Sequence, residues 1–329
     1  MQPQGHLAVW TRRPTSAVAR LAGRPLLLLS ARDLLRAARE EGLLTVAFAA
    51  PAGPAMAGFT RAARDCGAPL FLVRPSGSAD EAGPQESRDD VAFVDLALRA
   101  ADELSFRGPM ALLKEPPRAG CAVPERDRVF REMEAGFTGL GIAARVDDTA
   151  GARDAALSAA QVCQLGLGLE VIPVGGAPLL GVEVVRMLGA RGAPPSALRL
   201  TGHESEAAGF ESELRGVAVT TAAEGAPGTL RALGVHQLIA AGPFLRALRR
   251  AAPATLWDKL QAWSDEQQAT LEQAASRHQR LLRDLTPEQQ DKLEALCCFE
   301  GEELLRRAGA AGTSERLAAR VASYVEQES

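Results

Sequence analysis

The sequence has no basic excess: the formal net charge is −4, with 37 lysines and arginines against 41 aspartates and glutamates. Such a balance excludes the sequence-independent grip on phosphate backbones that nucleic-acid binders rely on. Lysine itself is scarce, at Lys114, Lys259 and Lys292. The remaining basic residues are arginines, a bias that a GC-rich genome produces without a functional cause. The five cysteines, Cys66, Cys121, Cys163, Cys297 and Cys298, form no CxxC pair and no metal-site spacing. An odd count without a disulfide framework suits reduced thiols. The start, MQPQGHLAVWTRRP, lacks the pattern of a secretory signal, and the apolar run Leu26–Leu29 is far too short to span a bilayer. A soluble, cytoplasmic protein is expected.

Composition is otherwise that of a folded protein, 47% hydrophobic and 24% charged. Through the middle of the chain one rhythm recurs: a short apolar run, a turn or loop, then an amphipathic stretch rich in Ala, Leu and Arg. The apolar runs are Leu43–Ala49, Leu70–Val73, Pro109–Leu113, Gly139–Ala143, Leu167–Ile172, Ala197–Thr201, Gly216–Thr220 and Val235–Ala240. Helices are expected between them, among them Met56–Cys66, Ala92–Leu104, Glu125–Ala135, Ala152–Leu165 and Val182–Gly189. Eight such units over about 200 residues predict an α/β fold, a (β/α)8 TIM barrel, over residues 43–250. An open doubly wound sheet has the same periodicity and is the alternative.

Residues 1–42 hold a strand-like LLLLS piece and a helix over Ala31–Glu41 with Ser30 as its N-cap, a segment placed to close the barrel. Residues 251–329 form a helical C-terminal extension. In it, Leu256, Trp257, Leu260 and Trp263 make an apolar stripe at helical spacing, either a partner surface or a face that packs back on the barrel. Thr286-Pro287-Glu288 opens a helix, and Ser314–Glu328 forms the last one. The stretch Pro75–Asp89, rich in Ser, Gly and charge, is expected as a loop or lid.

Active sites of β/α barrels lie at the C-terminal ends of the strands. The segments found there are Leu113-Lys114-Glu115-Pro116-Pro117, Glu170-Val171-Ile172-Pro173, Thr201-Gly202-His203-Glu204, Thr220-Thr221-Ala222-Ala223-Glu224-Gly225 and Ala240-Ala241-Gly242-Pro243. The run GPMALLKEPP followed by VFREMEAGFTGLGI resembles the class II (zinc) aldolase stretch from His-Leu-Asp-His-Gly to Ala-Gly-Phe-Thr-Ser. LEVIPVGG, RLTGHES and VAVTTAAEGAPGTLRALGVHQLIAAGPFLRAL are similar to that family's later site segments, in the same order, through roughly Leu43 to Leu248. SRDDVAFVDLALRAADELSF resembles the non-catalytic subunits of tagatose-bisphosphate aldolases.

The resemblance implies a site with three zinc-binding histidines and an aspartate acid/base. Here Lys114, Glu115 and Pro116 stand at the first position, Thr221 at the last, and only His203 falls at a ligand position. Zinc needs about three protein ligands, so no metal and no cofactor are expected. Lys114 at a strand end has the chemistry for a Schiff base with a carbonyl, with Glu115 or Glu170 moving protons; the plain alternative is a lysine paired with one of those glutamates. His203 reads as a ligand-binding group or as a hydrogen-bonded loop residue, and His236, inside a predicted strand, as structural. Thr221, Gly225, Gly228 and Thr229 are candidates for holding an anion through backbone amides at a helix start, against which the negative charge of Glu224 counts.

The leading expectation is a catalytically inactive barrel serving as an accessory, scaffold or protein-interaction subunit, with a protein partner or homo-oligomerisation. The alternatives are a metal-independent carbon–carbon lyase or aldolase using Lys114, and a sensor that keeps the pocket for a small phosphorylated or carbonyl ligand. No nucleic-acid or membrane partner is expected.

Overall fold

The structure is a computed structural model, and it describes residues 10–51, 53–75, 84–116, 125–144, 159–173, 178–210, 212–222, 225–266, 270–271, 274–275, 282 and 284–328. Eight parallel strands form a closed barrel: β2 (Thr45–Ala49), β3 (Leu70–Arg74), β4 (Pro109–Lys114), β5 (Gly139–Ala144), β6 (Gly168–Pro173), β7 (Ala197–Arg199), β8 (Ala218–Thr221) and β9 (Gln237–Ala240). Each pairs with the next in chain order, and β9 returns to pair with β2. That last pairing, with Thr45 opposite Gln237 and Phe48 opposite Ala240, leaves no sheet edge and excludes the open doubly wound sheet. A short strand, β1 (Leu27–Leu28), adds to the start of β4, beside the later residues of β4 that pair with β5.

The strands alternate as a barrel requires. Val46 and Phe48 of β2, Leu70 and Leu72 of β3, and Met110 and Leu112 of β4 belong to a large outer core. That core includes residues of α1 (Thr15–Leu21), α3 (Gly53–Asp65), α4 (Pro84–Glu103), α5 (Glu125–Ala135), α6 (Pro178–Ala190), α7 (Pro227–Ala232) and α8 (Gly242–Ala251). Ala47, Phe71, Val73, Ala111 and Ile239, the intervening residues, form a second cluster inside the bore. Such a bore is a packed core rather than a channel.

The chain closes the floor of the bore with α2 (Ala31–Glu40). Ser30 caps this helix, its Oγ accepting from the Arg32 amide at 3.1 Å. Ala31, Leu34, Ala37 and Ala38 join the bore cluster. The entry is tight: a Cβ added at Gly139 or at Gly168 would lie 2.6 Å from the Ala31 Cβ. Glycine at both positions is what lets the helix start sit in the wall. Asp33, almost fully buried, is paired with Arg12 at 3.1 Å.

After the barrel come α9 (Ala254–Glu266), α10 (Pro287–Ala308) and α11 (Ser314–Glu328). Thr286 and Gln289 form a reciprocal capping box at the start of α10. The Leu256–Trp263 stripe packs back: Leu256 and Leu260 are buried in the outer core, and Trp257 and Trp263 rest against it. Leu317, Val321 and Tyr324 of α11 belong to the bore cluster. Tyr324 donates to Glu40 at 2.7 Å, and Arg36 stacks 3.9 Å from the Tyr324 ring centroid. The last helix therefore backs the plug helix. The stretch expected as a loop after β3 is helical from Pro84 onward; residues 76–83 lie outside the described residues.

His236 stitches three strands at the start of β9. Its Nδ1 accepts from the Val219 amide at 3.1 Å, and its carbonyl accepts from the Thr45 amide at 2.8 Å. Burial, reinforced by Arg39, pushes the imidazole down to about 4. The folded state therefore resists a proton that the unfolded chain accepts near 6.5. This contribution to stability is complete above pH 6.5, shrinks as pH falls, and is gone near pH 4. It is worth about 3 kcal/mol in all. Denaturant unfolding across that window is expected to show the decline, and His236→Asn is expected to flatten it.

Candidate functional site at the mouth of the barrel

Lys114 ends β4 with its side chain fully buried, and its Nζ lies 3.0 Å from Asp90 Oδ1. Asp90, on α4, is also ion-paired with Arg74, the last residue of β3. The lysine is therefore paired with Asp90; the glutamates expected beside it from the sequence are Glu115 and Glu170. Those glutamates serve Arg199, the last residue of β7. Its Nη1 donates to Glu115 Oε1 at 2.6 Å, while its Nη2 and Nε donate to the two oxygens of Glu170 at 2.7 and 3.1 Å. Thr220 of β8 also donates to Glu170 Oε1. Burial works against the charge on Arg199, but Glu170 and Glu115 outweigh it and hold the guanidinium charged above its ordinary value. The mouth thus sets three cations (Arg74, Lys114, Arg199) against three carboxylates (Asp90, Glu115, Glu170).

The other predicted groups lie around these ion pairs. His203 is half exposed and turned to Glu206, its Nδ1 lying 2.9 Å from Glu206 Oε1. Thr221 donates to Glu204 Oε1, which also accepts from the Gly202 amide at 2.9 Å. Burial raises the Glu204 carboxyl, but hydrogen bonds from Thr221, its own amide and the Gly202 amide, with His203 nearby, outweigh it and hold it below the usual range. Gly225 and Thr229 are exposed; Thr229 lies in α7, a helix of only six residues. Glu224 lies outside the described residues. Glu115 and Glu170 are thus brought together on Arg199 and Lys114 is held beside Arg74 by Asp90, while His203 and Gly225 lie on loops, Thr221 at the buried end of β8 and Thr229 in α7.

A cleft of about 80 Å3 opens between Ile172–Pro173 and Leu200–Thr201, with Arg199 and His203 on its sides. It falls well short of the roughly 300 Å3 that a small-molecule site needs. A zinc ion does not fit the donors described here. Of the four histidines, His203 alone stands at the described mouth; His236 is committed to Val219, and His6 and His278 lie outside the described residues. Among the described residues one trio of metal-capable side chains occurs elsewhere, Asp65, Cys298 and Glu302. It lies at the end of α3, on the floor side, and its carboxylates are paired with Arg64 and Arg306. Burial first, then Glu302, pushes the Cys298 thiol up to about 11. The trio does not make a metal centre.

Arg199, Thr220, Asp90 and Arg74 were missed in the sequence. Arg199 and Thr220 carried a signal in the strand alternation, which places both facing inward in β7 and β8. Asp90 carried none, because it falls between the expected loop Pro75–Asp89 and the expected helix from Ala92.

No family model matches the chain, and neither does any curated protein. Solved structures do. The YdjI aldolase from Escherichia coli K12 is similar over 87% of this chain and 99% of its own, with 12% identity and a TM-score of 0.56. The fructose-bisphosphate aldolase from Campylobacter jejuni is similar over 87% of this chain and 96% of its own, with 11% identity and a TM-score of 0.57. At such identity the likeness is one of fold.

Arg199→Ala leaves Glu115 and Glu170 facing each other without their cation. Breaking a buried pair in this way costs about 3–5 kcal/mol. Denaturant unfolding is expected to show that loss, and Arg199→Lys, which keeps the charge but not the fork, is expected to lose less.

Proposed function

We propose that this chain is a catalytically inactive, class II aldolase-like barrel that serves as an accessory, scaffold or interaction subunit. The observation that carries this reading is the fork of Arg199 between Glu115 and Glu170. In a working barrel the mouth holds polar groups that face a ligand. Here the strand-end charges face one another, and Glu170 accepts from two guanidinium nitrogens and from Thr220. Zinc aldol chemistry needs a ligand set that His203 does not complete. The Lys114 reading is weaker. A Schiff base begins with an amine free to reach a carbonyl, and this Nζ is fully buried and held 3.0 Å from Asp90. A sensor for a small phosphorylated or carbonyl ligand has the cleft beside His203 in its favour and the small volume of that cleft against it.

The protein partner, or a second copy of the chain, belongs to the same proposal. So does a cytoplasmic setting, with which the free thiols of Cys66, Cys163, Cys297 and Cys298 agree. Among the described residues no helix is long and apolar enough to cross a membrane.

Elemental analysis of protein prepared with zinc present is the test, with His203→Ala as control. The proposal expects no stoichiometric zinc in either protein. Stoichiometric zinc in the wild type that disappears in His203→Ala overturns it and restores metal-dependent aldol chemistry.

A further inference from the structure

Below the ion network, and above the plug helix α2, the bore keeps a cavity of about 20 Å3. Lys114, Glu170, Ser196 and Gln237 line it, with Gly139 and Gly168 in its wall. One water molecule requires about 10–15 Å3 of such space. Gln237, the first residue of β9, is 1% exposed, and its Nε2 has no hydrogen-bond partner in the protein. A buried amide nitrogen without an acceptor is costly, and interiors rarely tolerate one.

The same cavity offers acceptors. Glu170 presents a carboxylate. Ser196 Oγ accepts from the Leu169 amide at 2.8 Å and donates to the Leu169 carbonyl at 2.9 Å, which leaves it a second lone pair. The walls have no slack with which to close the space: β5 and β6 are paired along their lengths, and Ala31 is already seated against both glycines.

The geometry points to an internal water site in the barrel bore, with Gln237 Nε2 as donor and Glu170 or Ser196 Oγ as acceptor. The ligand is a single water, because the volume admits nothing larger. Dry voids in proteins are lined by apolar groups, and the residues around this one include Glu170, Ser196 and Gln237. Bound there, the water links β9 to the β6–β7 side of the barrel, across the layer between the plug and the ions.

Two measurements test the site. A high-resolution crystal structure locates internal water, and water relaxation dispersion counts the long-lived molecules in solution. Wild-type density is expected to contain a water within hydrogen-bonding distance of Gln237 Nε2. Gln237→Met, of similar length but without donors, is expected to lose that one long-lived water. Wild-type density with the amide facing an empty bore overturns the proposal, as does a water that persists unchanged in Gln237→Met. If that variant does not fold, the wild-type density alone decides.

Discussion

The guanidinium of Arg199, held between Glu115 and Glu170, is the interaction on which the upper half of the barrel depends. Three strands meet through it: β7 supplies the arginine, β6 one glutamate and the residue after β4 the other. A planar fork that donates to two carboxylates at once suits arginine and no other side chain. In the low dielectric of the bore each of these charges is expensive alone, so the cluster is tolerable only because its members satisfy one another. Lys114, Asp90 and Arg74 repeat the logic at the neighbouring strand ends. The consequence for function is steric and electrostatic together: the groups best placed to meet a ligand are already in contact with one another.

The lower half depends on a different device. The helix α2 enters the bore because Gly139 and Gly168 give its first residue room, and α11 covers it from outside. Residues from near both ends of the chain therefore share one apolar cluster with the inward faces of β2, β3, β4 and β9. Arg36, Arg320 and Tyr324 gather around Glu40 at the edge of that floor. Between floor and roof lies a thin polar layer that neither packing nor ion pairing fills completely.

Much of the architecture was legible in the sequence because it rests on local patterns. Each of the eight apolar runs became a barrel strand, and Ser30 and Thr286 cap the helices that their residue types announced. What periodicity left open was closure, since the pairing of β2 with β9 joins segments about 190 residues apart. The site was legible only in part. Lys114 and Glu115 stand at the end of β4, as expected, while Glu170 lies within β6, where Arg199 reaches it. Their partners were hidden for two reasons. Arg199 is one of many arginines in an arginine-rich chain, and only its inward register distinguishes it. Asp90 falls between the expected loop Pro75–Asp89 and the expected helix from Ala92, although the chain is already helical there. Thr221 and His203 were noticed for positions they share with a ligand set, yet their contacts are with Glu204 and Glu206 on neighbouring loops.

The central claim is that the ionic mouth is structural rather than catalytic. Its most direct test is aldol cleavage of phosphorylated ketoses, fructose and tagatose bisphosphates included, by wild-type protein with zinc supplied and by Lys114→Met and Glu170→Gln variants. The expected result is no release of triose phosphate above the uncatalysed background in any of the three. Turnover in the wild type that either substitution abolishes, with the fold intact, would contradict the claim.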